Sequence, residues 1–173
     1  SADLVTRSTT LFAAAMAGNA AMLAAAPAQA ATSTTQTTVL NPLSVVSTTD
    51  LDFGTLIPGT TAGTVTINPT TSARTVAGGT IAAGGAPSAA TFQTVGFINR
   101  IYLIGAPPAS VTLTNGTGGS MVMNNLTFDG PLLRIFPSNA GVATVKLGGR
   151  LNVGANQASG NYTGTYSVTI IYL

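Results

Sequence analysis

Residues 42–173 are predicted to form one all-β domain, an antiparallel β-sandwich, and three observations carry the prediction. Apolar residues alternate with Thr and Ser at a period of two in one segment after another. No segment beyond residue 30 keeps the 3.6-residue period of an amphipathic helix. Gly, Pro and Asn clusters interrupt the alternation often enough to leave seven or eight short strands, the spacing of a sandwich.

The first strand is expected within Leu43 to Phe53, where Leu43, Val45 and Ser47 share one face and Leu51 and Phe53 restore an apolar alternation. Pro58-Gly59 turns the chain. Gly63 to Ile67 places Val65 and Ile67 inward and Thr64 and Thr66 outward, and Asn68-Pro69 ends it. Arg74 to Ile81 is interrupted by Gly78-Gly79 and Gly84-Gly85, the mark of a bulge, a loop or a close backbone approach. Phe92 to Ile104 is the densest apolar run and reads as one strand bulged near Gly96 or as two short ones, stopped by Pro107-Pro108. Val111 to Leu113 closes on Asn115-Gly116, a hairpin dipeptide, with Met121 to Phe128 as its partner. Residues 131–139 carry Leu132, Leu133, Ile135 and Phe136 between two prolines, a connection with its own apolar anchors. Val142 to Val153 is a strand with a kink expected at Gly148-Gly149. From Tyr162 to Leu173 the alternation is the clearest in the chain, Tyr162, Gly164, Tyr166, Val168, Ile170 and Tyr172 against Thr and Ser, and it predicts one uninterrupted strand.

Two different pieces precede the domain. An alanine-rich apolar stretch, Leu11 to Ala26, follows Arg7 and ends in Pro27-Ala28-Gln29-Ala30, which is the layout of an export signal cleaved after Ala30. Retained, residues 8–27 would be a weakly hydrophobic helix near the lower length limit for a membrane anchor. Residues 31–41, ATSTTQTTVLN, are uncharged and β-branched but hold only Val39 and Leu40 as large apolar groups, which makes them either a flexible leader or a strand in want of a partner.

Composition excludes much chemistry. The chain has no His, Cys, Trp or Glu, and its net charge is +2. Disulfides, thiolate metal sites and His-based nucleophilic catalysis are thereby ruled out, and the few arginines form no cluster that would neutralise nucleic-acid phosphates. Low charge also weakens the self-repulsion that keeps chains apart. Asp50 and Asp52 lie two apart and share a strand face, so they are the candidate pair for acid/base work or calcium, but with only Asp129 in support their expected role is turn stabilisation or solvation. Lys146, amid Val and Leu, is expected to be an outward charge protecting an edge. The glycine pairs lack the Lys-Ser/Thr and strand-turn-helix setting of a phosphate loop. Asn115, Asn125 and Asn161 head Asn-x-Thr triplets, which occur by chance in a Thr-rich chain. Tyr102, Tyr162, Tyr166 and Tyr172 are expected in core or interface packing rather than in a sugar-stacking site.

The terminal strand must pair on both sides or leave an edge exposed, and exposed edges recruit strands. The segments LDFGTLIPG (Leu51 to Gly59) and LNVGANQASGNYTGTYSVTIIY (Leu151 to Tyr172), with the Thr-rich leader behind an Ala-x-Ala site, resemble a bacterial family of cysteine-free pilin-like domains long left as a domain of unknown function. More distantly they resemble spore-coat-U-type and chaperone–usher fimbrial subunits. The resemblance implies an immunoglobulin-like sandwich, export through the periplasm and donor-strand assembly into a homopolymeric surface filament, with a periplasmic chaperone and an outer-membrane assembly protein as further partners. It does not extend to the disulfide of the better-known fimbrial subunits. The expectation is thus a structural, non-enzymatic subunit without cofactor, metal or nucleic acid, its interface formed by Val39 and Leu40 of one copy against Tyr162, Tyr166, Val168, Ile170 and Tyr172 of the next. The alternatives are a non-polymerising adhesive or carbohydrate-binding module completed by its own leader, and a membrane-anchored periplasmic accessory subunit.

Overall fold

The computed structural model describes residues 44–173; the expected export signal, the alternative membrane anchor over 8–27, and the leader 31–41 with Val39 and Leu40 lie outside the described residues. Strands β1 (Ser44–Thr49), β2 (Leu56–Ile57), β3 (Gly63–Ile67), β4 (Arg74–Gly78), β5 (Ile81–Ala82) and β6 (Ala90–Val95) form the first half. The second half holds β7 (Ile101–Ile104), β8 (Ser110–Thr114), β9 (Ser120–Phe128), β10 (Leu133–Ile135), β11 (Val142–Val153) and β12 (Ile170–Tyr172). Among the described residues there is no helix, and every ladder is antiparallel.

β11 organises the larger sheet. Leu147 faces Ala90 of β6 on one side and Phe128 of β9 on the other, and beyond it Gly149 to Val153 face Ile67 to Gly63 of β3. β6 and β3 therefore follow one another along the same edge of β11, with β9 opposite. β1 extends the sheet beyond β6, β4 beyond β3, and β8 beyond β9. Gly148 is what lets β3 begin where β6 stops, because a side chain there would strike the Ile67 carbonyl and the Pro69 ring. The expected kink at Gly148-Gly149 does not interrupt β11; the irregularity falls on β9, where Asn125 takes φ +50° and the register slips between Gly148 and Arg150. Lys146 is not on an edge. It sits in the central strand opposite Thr91, and its carbonyl accepts from the Asp129 N–H at 3.0 Å, so the edge-guarding role is corrected.

A smaller sheet runs β10–β7–β12, and β2 pairs β5 in a two-stranded ribbon. The inward side chains of both larger sheets meet in one core that includes Val65, Ile67, Phe92, Val145 and Leu147 from the first and Tyr102, Ile104 and Ile170 from the second. Tyr102, Phe136 and Tyr172 form an aromatic row with centroids 4.5 and 5.9 Å apart.

The apolar run Phe92 to Ile104 is split between the two sheets. Gly96 donates to the Gly141 carbonyl at 2.8 Å, Asn99 takes φ +58°, and the chain crosses to the second sheet at β7. Residues 131–139 contain β10, because Arg134 pairs with Asp129 at 2.8 Å and donates from Nε to the Pro131 carbonyl at 2.8 Å, folding the connection back beside β7. The first predicted strand ends at Thr49. Its ladder slips after Ser47, Asp52 then bridges Ser88, and Asp52 Oδ1 accepts from the Gly54 N–H at 2.7 Å with Gly54 at φ +73°.

Candidate functional site

The terminal segment departs most from expectation. Instead of one strand from Tyr162 to Leu173, only Ile170–Tyr172 is a laddered strand, preceded by a single bridge at Thr163. The predicted facing is nevertheless present: Tyr162, Tyr166, Val168 and Tyr172 are partly buried and Ile170 is buried, while Thr163, Thr165, Ser167, Thr169, Ile171 and Leu173 are exposed.

Backbone direction follows from the bonds that do form. Within an extended strand the N–H and C=O of one residue point the same way, and successive residues alternate. Thr163 exchanges bonds with Thr114 at 2.9 and 3.0 Å, the Thr169 carbonyl accepts from Gly105 at 2.7 Å, and Leu173 donates to Ile101 at 3.1 Å. The odd-numbered residues thus face β8 and β7. The ladder is broken between these ties because Pro107 and Pro108 have no N–H to offer, and a cleft of about 740 Å3 opens between residues 106–114 and 163–167.

The even-numbered residues face the opposite edge. Gly164, Tyr166, Val168, Ile170 and Tyr172, five N–H and five C=O groups, meet no backbone partner there among the described residues. This edge of the terminal segment is therefore an unpaired seam among the described residues.

At Gly164 and Tyr166 the seam opens onto an apolar groove. Its two halves, each about 500 Å3, share Leu51, Phe53, Leu113 and Tyr162. One half continues toward Leu56, Met121, Leu151 and Val153, the other toward Ser47, Asp50, Phe92 and Tyr166. Across the groove from the terminal segment lies the stretch that begins with β1, the outermost strand of its sheet, and continues through Leu56. Tyr162 is fixed as one wall: its hydroxyl donates to the Ala158 carbonyl at 2.7 Å and accepts from Gln157 Nε2 at 2.8 Å and from Asn115 Nδ2 at 3.4 Å. Tyr166 stands edge-on to Phe92, centroids 6.4 Å apart at 78°, and its phenol is pushed up to about 12 by burial first and by the negative charge of Asp50 second.

Of the residues expected at an interface, Tyr162 and Tyr166 line the groove with their side chains. Ile170 turns its side chain into the core, and the Tyr172 hydroxyl donates to the Val95 carbonyl at 3.3 Å, so these two present backbone rather than side chain to the seam. Sequence reasoning missed the opposite wall, Leu51, Phe53 and Leu56, and the contribution of Leu113 and Met121 from β8 and β9. The alternation of Leu51 and Phe53, with Leu56 beyond the Gly54 turn, was the available signal, but it does not distinguish a groove wall from a closed core.

No group of three metal-ligating side chains converges among the described residues. The Asp52 carboxylate is engaged in the turn at Gly54, while Ser88 Oγ donates to the Asp50 carbonyl at 2.9 Å. What the site offers is main-chain hydrogen bonding and apolar contact.

No curated protein and no solved structure matches the chain. A family model described as Domain of unknown function (DUF4402) matches residues 43–172, which spans every described strand and the whole groove. The chain therefore belongs to the family of domains of unknown function DUF4402.

Proposed function

We propose that this domain is the structural subunit of an exported bacterial surface filament, an immunoglobulin-like sandwich that lacks one strand and receives it from a neighbouring copy. The donor is residues 31–41, laid along Gly164 to Tyr172, with Val39 and Leu40, whose side chains leave opposite faces of the strand, as its large apolar groups. The single observation that supports this most is the row of outward-facing N–H and C=O groups on alternate residues, bordered by a groove lined with apolar side chains. A donor that satisfies those ten groups gains on the order of 1 kcal/mol net for each bond formed, in addition to apolar burial, which makes dissociation slow. The sparse chemistry of the chain, without His, Cys or Glu, fits a mechanical role better than a catalytic one.

Deleting residues 31–41 tests the reading by electron microscopy and light scattering of the purified protein. Monomers and short oligomers are the expected product. Long filaments from the truncated chain refute the donor assignment, and a full chain that stays monomeric at high concentration favours a self-completed adhesive module instead.

A further inference from the structure

The smaller sheet is apolar on both faces, and only one of them is accounted for. Its inner face places Tyr102, Ile104 and Ile170 in the core, with Arg134 of β10 at its margin paired to Asp129. Its outer face is a grid set by register: Leu133, Leu103 and Ile171 form one row, and Ile135, Ile101 and Leu173 the next. Five of the six are large exposed hydrophobics, from 44% for Ile101 to 61% for Leu173. An antiparallel sheet with one face in water normally carries polar residues on that face, and strands that are apolar at every position are covered on both sides. The terminal segment makes the contrast within a few residues. Its outward positions are Thr163, Thr165, Ser167 and Thr169 up to the smaller sheet, then Ile171 and Leu173 inside it.

We propose that this outer face is a self-association surface that takes the same face of a second copy of this chain. Two features select that occupant. The grid contains no charged side chain, so the side chains of two copies meet without like-charge opposition, and an anionic or cationic partner finds no side-chain counter-charge within it. The five exposed side chains present on the order of 500 Å2, so stacking two such faces removes about 1,000 Å2 from water, the threshold of a specific interface. The surface uses the side chains of the odd-numbered residues, not the even-numbered backbone edge, and stands independently of strand donation.

The absence of native cysteine provides a clean test. In the full chain, Ile171→Cys under mild oxidation is expected to give covalent dimer at least about tenfold faster than Thr75→Cys, an exposed control on the larger sheet, because only the first thiol is held near its copy. Adding Leu133→Lys to the Ile171→Cys chain abolishes the advantage, whereas deleting residues 31–41 leaves it intact. Ile171→Thr, which continues the Thr pattern, keeps the thermal transition and weakens association in sedimentation velocity. Equal crosslinking of the two single-cysteine chains overturns the proposal. So does binding of the unsubstituted chain to neutral phosphatidylcholine vesicles, lost in Ile171→Thr, with no self-association in their absence, since the face would then be lipid-directed.

Discussion

Tyr166 gives the seam a pH signature. Its phenol ionises near pH 10 when unfolded, but burial, and to a smaller extent Asp50, holds the proton to about pH 12 in the folded chain. Below pH 10 the phenol is neutral in both states and its contribution to stability is complete. As pH rises from 10 to 12 the unfolded chain releases the proton while the folded chain retains it, so stability falls; beyond 12 the contribution is gone. That interval corresponds to at most about 3 kcal/mol, and to about 2 kcal/mol once solvent screening at this half-buried ring is included. Tyr166→Phe keeps the edge-on contact with Phe92 and removes the titration. Urea unfolding of both chains between about pH 8 and about pH 12 isolates the effect, because other ionisable groups cancel in the difference. The unsubstituted chain is expected to lose about 2 kcal/mol more than Tyr166→Phe over that interval, and Asp50→Asn to reduce the loss only in part. Parallel pH curves for the unsubstituted chain and Tyr166→Phe would refute the burial of this ring beside the groove.

Two substitutions probe the packing behind the seam. Gly96→Ala places a methyl group into the Tyr172 hydroxyl and the Phe136 ring, so it is expected to cost about 1–3 kcal/mol in denaturant unfolding and to perturb the near-ultraviolet aromatic signal. Thr94 is fully buried and its hydroxyl has no hydrogen-bond partner among the described residues, so Thr94→Val, which keeps the β-branched shape, is expected to raise stability by about 1 kcal/mol; a loss of stability would mean that the hydroxyl is satisfied by an internal water.

Period-two patterning made the all-β class and most strand positions legible in the sequence. β3, the β8–β9 hairpin and β11 lie where alternation and turn residues place them, since each buries one face and the pattern records that burial directly. Patterning does not record which edge of a strand finds a partner. Tyr162 to Leu173 has the same alternation whether laddered or not, and the loss of pairing between Thr163 and Thr169 depends on Pro107 and Pro108 in another segment. Lys146 misled for a related reason: a long polar side chain leaves a central strand as readily as an edge strand. The division of Phe92 to Ile104 depends on the space that Phe136 and Tyr172 occupy beside Gly96, a contact between residues far apart in the chain. The groove was legible only on the side of Tyr162 and Tyr166, whose strand was the best patterned.

The interrupted tie between the terminal segment and its neighbours also creates a native isotope reporter. Ile171 and Leu173 direct their amides into β7, whereas the amides of Gly164, Tyr166 and Val168 receive no shelter from any described backbone. Deuterium uptake should therefore be faster at the amides of Gly164, Tyr166, Val168, Ile170 and Tyr172 than at those of Thr163, Ile171 and Leu173. Any strand that seats along this edge slows uptake at those alternate amides and not at their neighbours, so occupancy can be followed in solution without a label or an antibody, whatever the bound molecule is.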